Sequence, residues 1–237
     1  MRNPLAASST VLGESSFWPS AAIVTAAGLY ADMPARFIAG PSAGAFGVVR
    51  WVVPALTAIL LAALLASAPE GRIAQSFGWR ELHVNVTRRW LALAMIAVVS
   101  AANSASIILL IHLLLNGATA NASTLLRAAV HMWCVNVLLF GLWYWQLDGG
   151  GPLARPTTPI AERDFLFPQQ AEPALAESGW HPTFIDYLYL SFTNAAAFSP
   201  TDAMPLSRWA KMLMLIQSAI SLSLAVMVVA RAVNILK

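Results

Sequence analysis

Charge and cysteine are both scarce in this chain. Lys, Arg, Asp and Glu make up 11% of the 237 residues, while 58% are apolar. A soluble domain carries about 25% charged residues, so this composition excludes one and points to an integral membrane protein. The one cysteine, Cys134, sits in an apolar run; it can form no intrachain disulfide and reads as a small core residue. The net charge of +3 is scattered, with no basic stripe interleaved with aromatics, which removes nucleic acid as a partner. Catalytic groupings are missing too. No Ser-His-Asp set and no carboxylate pair shares a helix, so an enzyme is not expected. His131 and Cys134 stand at i, i+3, but two ligands without a third make a poor metal site, and neither metal nor cofactor is expected. Arg2 leads into a polar, Ser-rich stretch and not an apolar h-region, so no cleavable signal peptide is expected and the first membrane helix does the targeting.

Apolar length is what the chain has in abundance. Residues 90–116, 124–146 and 206–230 each approach or exceed the ~20 residues an α-helix needs to cross a bilayer. Residues 51–68 are shorter but uncharged, and Pro54 near their start is tolerable in a first turn, so they count as a fourth span. In 19–39, Asp32, Pro34 and Arg36 break the run after Tyr30, and an interfacial or re-entrant helix is expected there. The fold class is therefore all-α integral membrane, with four to five transmembrane helices, multi-pass in the plasma membrane. The chain divides into an N-terminal segment 1–50 with a short apolar or interfacial helix, a helical membrane core 51–147, a Pro-rich polar loop 148–182 and a C-terminal module 183–237.

The connections differ in character. In residues 71–89, Phe77, Trp79, Leu82 and Val86 fall near helical spacing, with Arg72, Arg80, Arg88 and Arg89 elsewhere around them. Both a helix lying in the headgroup region and a plain basic loop fit that pattern. The uncharged turn 117–123 joins 90–116 and 124–146 as an antiparallel hairpin. Within the hairpin, Asn103, His112, His131 and Asn136 are expected to make core hydrogen bonds. Trp143, Tyr144 and Trp145 mark a membrane surface, and the Asp148-Gly-Gly-Gly-Pro152 run ends the helix sharply. Prolines 152, 156, 159, 168 and 173 argue against regular structure in the loop that follows. Its aromatic segment Asp164-Phe-Leu-Phe-Pro168 is expected to pack on the membrane body and order a turret-like cap.

Residues 184–197 are too short to span and too apolar for a surface loop, the pattern of a re-entrant helix. Ser199-Pro200-Thr201-Asp202 follows, and then the last long apolar run. Non-helical backbone at membrane depth needs burial in protein or a water-filled cavity. A simpler role for Ser199 to Asp202 is to cap the next helix. The order resembles the pore loop of potassium channels. Without a gap, Phe198-Ser199-Pro200-Thr201-Asp202 falls where that family has Val-Gly-Tyr-Gly-Asp, and Ser191, Pro205, Trp209 and Lys211 fall at matching offsets. The match covers about the last quarter of the chain, and the whole sequence resembles bacterial membrane proteins related to that class. It departs at the filter, where Ser199 and Thr201 replace both glycines, whose left-handed backbone turns the carbonyls inward.

The resemblance implies an ion channel or pore, a homotetramer in the lipid bilayer, with Ala197, Phe198, Ser199, Pro200, Thr201 and Asp202 as filter and pore loop. Pro200 and the missing glycines imply passage of monovalent cations without strong potassium selectivity. A channel-derived membrane subunit that does not conduct is the alternative. Gln217, Ser218 and Ser221 share a face of the last helix at i, i+4 and i, i+3. That face either lines an aqueous cavity or packs against a neighbouring helix. The resemblance also implies an exterior loop 148–182 and a cytoplasmic C-terminus. Charge counting points the other way, with Arg72, Arg80, Arg88, Arg89, Arg155, Arg208 and Lys211 then outside.

Overall fold

The computed structural model describes residues 17–34, 36–39, 49–66, 78–116, 122–196 and 203–235. They are mostly helical: α1 (Phe17–Asp32), α2 (Arg36–Ala39), α3 (Val49–Ala66), α4 (Gly78–Leu115), α5 (Ala122–Leu147), α6 (Pro168–Ala171), α7 (Phe184–Ala195) and α8 (Arg208–Ile235). Two two-residue strands, β1 (Phe165–Leu166) and β2 (Met204–Pro205), pair antiparallel, with Phe165 opposite Pro205 and Leu166 opposite Met204. Among the described residues, three helices are long and apolar enough to cross a membrane, over Arg89–Leu115, Ser123–Gly150 and Arg208–Val229.

Helix α5 is the axis of the bundle, and α1, α4, α7 and α8 all run opposite to it. Near the C-terminal end of α5, Leu139 and Leu142 pack with Ala22 and Ile23 of α1, Met95 and Ile96 of α4, and Phe184 of α7. Near its start, Leu125, Ala128 and Met132 pack with Met33, Phe37, Ile107, Leu110 and Leu224. Each of these partners contributes an early residue to the first set or a late one to the second. The shared direction follows.

Helix α7 approaches α5 closely because residue 141 is glycine. A methyl group there would lie 3.2 Å from Leu188 Cα, tighter than side chains normally pack.

Helix α1 packs lengthwise along α5, from Phe184 at one end to the Asp32–His131 contact of 3.0 Å at the other. Asp32 breaks the apolar run only at the helix end, where His131 meets its charge. Residues 78–89 are the first turns of α4, continuous with the span beyond them. No Gly or Pro occurs between Trp79 and Leu115 to separate the two. Residues 71–77 lie outside the described residues.

Candidate functional site

Helix α5 stops at Asp148, and Gly149, Gly150 and Gly151 take φ of 57°, 84° and 96°, a left-handed turn that a Cβ would strain. The turn places the Asp148 carboxylate inside the protein, with no exposed surface. Its Oδ1 accepts the backbone N–H groups of Asp164 at 2.8 Å and Phe165 at 3.1 Å. Its Oδ2 accepts the Tyr187 hydroxyl and faces Arg155 Nε at 3.4 Å. Arg155 also donates to the carbonyls of Trp145 and Pro182 and stacks its guanidinium 4.6 Å from the Tyr187 ring centre. A buried ion pair costs desolvation unless its remaining hydrogen-bonding capacity is filled. Here it is filled.

That clamp joins the end of α5, the loop and the start of α7. It also sets β1, and through β1 the chain leading into α8, since Leu206 N–H donates to Asp164 O at 2.8 Å beside the strand pair. Phe165 and Phe167 pack with Tyr144, Tyr187 and Trp180, as the aromatic segment led one to expect of the cap.

Half-way down the bundle lies an uncharged network centred on Gln217. Its Oε1 accepts the Tyr144 hydroxyl at 2.6 Å and Asn194 Nδ2 at 2.8 Å. Its Nε2 donates to Ser191 O at 2.9 Å and Ser191 Oγ at 2.7 Å. Ser191 Oγ passes its own hydrogen to Val137 O at 2.6 Å. Ser218 Oγ donates to Asn194 Oδ1 at 3.1 Å, and Asn136 Nδ2 to Ser221 Oγ at 3.0 Å. Both ends of the Gln217 amide are saturated. The network holds α5, α7 and α8 in one register and offers no acid or base for proton transfer at neutral pH.

Gln217, Ser218 and Ser221 are thus brought together, on the side of α8 that faces α5 and α7 of the same chain. Ala197, Phe198, Ser199, Pro200, Thr201 and Asp202 lie outside the described residues. Ser191, at one of the matching offsets, lies in α7 one turn before Asn194. Tyr144 is a correction: its ring is buried against Phe165 and its hydroxyl is spent on Gln217, so it does not belong to the exposed aromatic belt. Trp143 and Trp145 beside it are half-buried, and Trp143 Nε1 donates to Ser100 Oγ at 3.0 Å. The sequence signal for Tyr144 was its i, i+4 spacing from Phe140 and Asn136, which puts all three on one face. Asp148 carried no such signal beyond its place at a helix end.

Among the described residues no group of three or more His, Cys, Asp or Glu is placed to hold a metal ion. The chain is a mostly helical protein whose apolar helices fit a membrane-embedded body. No protein-family model, curated protein or solved structure matches it.

Proposed function

We propose that the protein is the subunit of a pore-loop ion channel that assembles as a homotetramer around α8 in the plasma membrane. It passes monovalent cations without strong preference for potassium. One observation carries this reading: α7 and α8 set out from the same end of the bundle. Tyr187, in the first turn of α7, bonds Asp148, whose other oxygen holds β1, and β1 pairs with β2 just before α8. Yet the last turn of α7 lies beside Met214 to Ser218, well into α8.

Helix α7 has 12 residues, about 18 Å of rise, against a hydrocarbon core of about 30 Å. In this reading the chain goes in with α7 and returns to the β2 level by Ala203, for which seven residue steps, each able to extend, give a reach of about 25 Å. Non-helical backbone along such a path needs protein or water around it, which copies of the chain supply. In this reading α3 is the further crossing that accompanies the three long spans. Single-channel recording from purified protein in planar bilayers, with native mass spectrometry of the same sample, tests the proposal. Four-subunit particles with sodium and potassium currents of similar size are expected; a monomer that passes neither ion rules it out.

The non-conducting reading has one observation in its favour. The polar groups of Gln217 and Ser221 are consumed inside the protomer, and the exposed faces of α8 carry Leu215, Ile216, Leu222, Val226 and Val229. Tetramers that carry no current would select it.

A further inference from the structure

Three arginines ring the glycine turn that closes α5. A methyl group on Gly149 would meet Arg155 Cγ and Arg163 Cγ, each at 3.4 Å; on Gly150 it would stand 3.9 Å from an Arg89 terminal nitrogen, and on Gly151 3.9 Å from Arg89 Nε. Their charges are not balanced alike. Arg155 is paired with Asp148. Arg163 donates to the carbonyls of Thr158 at 3.3 Å and Arg155 at 3.0 Å, which satisfies hydrogens without neutralising charge. Arg89 has neither kind of relief: its Nε is closed off from solvent and meets no acceptor among the described residues. Arg89 as a residue is half-buried, and a guanidinium that has given up hydration at one nitrogen without gaining an acceptor or counter-charge attracts an anion more strongly than a fully hydrated one.

Position selects the anion. Arg89 opens the apolar span Arg89–Leu115, and the adjacent Trp90 is 67% exposed, an aromatic of the kind that settles at headgroup level. At that depth a bilayer presents phosphate, whose oxygens a planar guanidinium can grip in pairs. The glycines leave the turn between Arg89 and Arg163 free of side chains. We propose that Arg89 and Arg163, across the Gly149–Gly151 turn, form a site for a phosphate-bearing anion, supplied by the headgroup of an anionic phospholipid.

The test uses the full-length protein in a neutral detergent, titrated with phosphatidylglycerol, phosphatidylcholine or inorganic phosphate. Bound lipid is read by native mass spectrometry and stabilisation by thermal unfolding. Preferential retention of phosphatidylglycerol is expected, weakened about fivefold by Arg89→Gln, as for loss of one basic group at a charged surface. Arg89→Lys keeps most of it, and Arg208→Gln, exposed at the start of α8, leaves it unchanged. Inorganic phosphate that stabilises the protein as well as phosphatidylglycerol does would keep the anion site and overturn the lipid as its source. Equal retention of the two lipids, or phosphatidylglycerol retention untouched by both Arg89→Gln and Arg163→Gln, overturns the site. If Arg89→Gln does not fold, wild type and Arg163→Gln compared at low and high salt decide: a preference insensitive to both salt and substitution overturns it.

Discussion

Gln217 and Asp148 show how differently two buried polar residues act. Gln217 makes four hydrogen bonds without a charge, so replacing it with Leu strips partners from Tyr144, Asn194 and Ser191 together. Each buried group left unsatisfied costs about 1–3 kcal/mol. Gln217→Leu is therefore expected to lower the unfolding temperature of purified protein clearly, and more than Ser218→Ala, whose half-buried hydroxyl serves one face of Asn194. Asp148→Asn is a different experiment, since it leaves the Arg155 charge buried and unpaired. Removal of one partner from such a pair costs about 3–5 kcal/mol. The double variant Asp148→Asn, Arg155→Met is expected to recover part of the loss. If the single and double variants melt together, the pair is not what holds the cap.

Among the elements, α7 is the one whose placement depends on its neighbours. Twelve residues make a marginal helix in isolation, and here Thr183 N–H and hydroxyl both donate to Asp186 Oδ2, at 2.7 and 2.9 Å, to start it. Gly141 then lets α5 come within packing distance of it. Gly141→Ala brings a methyl to 3.2 Å from Leu188 Cα, a backbone atom that cannot swing aside. Overpacking of this kind costs about 1–3 kcal/mol. Gly141→Ala is expected to destabilise the protein by that order in a denaturant or thermal melt, while Gly28→Ala, with nothing within 4 Å of the new methyl, is expected to be neutral or mildly stabilising. Equal melting of the two would mean that the α5–α7 approach is looser than drawn.

For the whole molecule, Arg155 stays in the charge count although Asp148 pairs with it in the cap, because acidic residues contribute little to the orientation that Lys and Arg set. Channel-like assembly requires the cap outside, and Ala174, exposed in the loop, is a convenient reporter. In intact cells, an impermeant thiol reagent is expected to reach Ala174→Cys and not Lys237→Cys in a Cys134→Ala background. The opposite pattern would invert the protein and with it the proposed pore mouth. The proposed ion passage has its own probe in Asp202. In the proposed tetramer a ring of four carboxylates would concentrate cations at low salt, so Asp202→Asn is expected to reduce cation flux in proteoliposomes while leaving the melting temperature near wild type. Unchanged flux with a lower melting temperature would assign Asp202 to holding the loop.

Composition and hydropathy alone determined that this chain is helical and apolar enough for a membrane, that its long runs fall at 90–116, 124–146 and 206–230, where the structure has the apolar helices Arg89–Leu115, Ser123–Gly150 and Arg208–Val229, and that the loop after α5 carries an aromatic segment bound for the interior. These are one-dimensional properties: a run of apolar residues is expensive in water wherever it ends up, and a glycine turn ends a helix whatever it packs against. The tertiary structure decided which polar groups meet. Tyr144 and Gln217 are 73 residues apart and Asp148 and Tyr187 are 39, and whether such pairs touch depends on how each helix is rotated about its own axis. A rotation by one residue, about 100°, turns a side chain from its partner toward lipid. Hydropathy barely registers that angle in a helix whose polar residues make no distinct side by hydropathy, and α8 is one, although Gln217, Ser218 and Ser221 share a face. Only the close approach at Gly141 and the saturated bonds of Gln217 and Asp148 single out one rotation from the others.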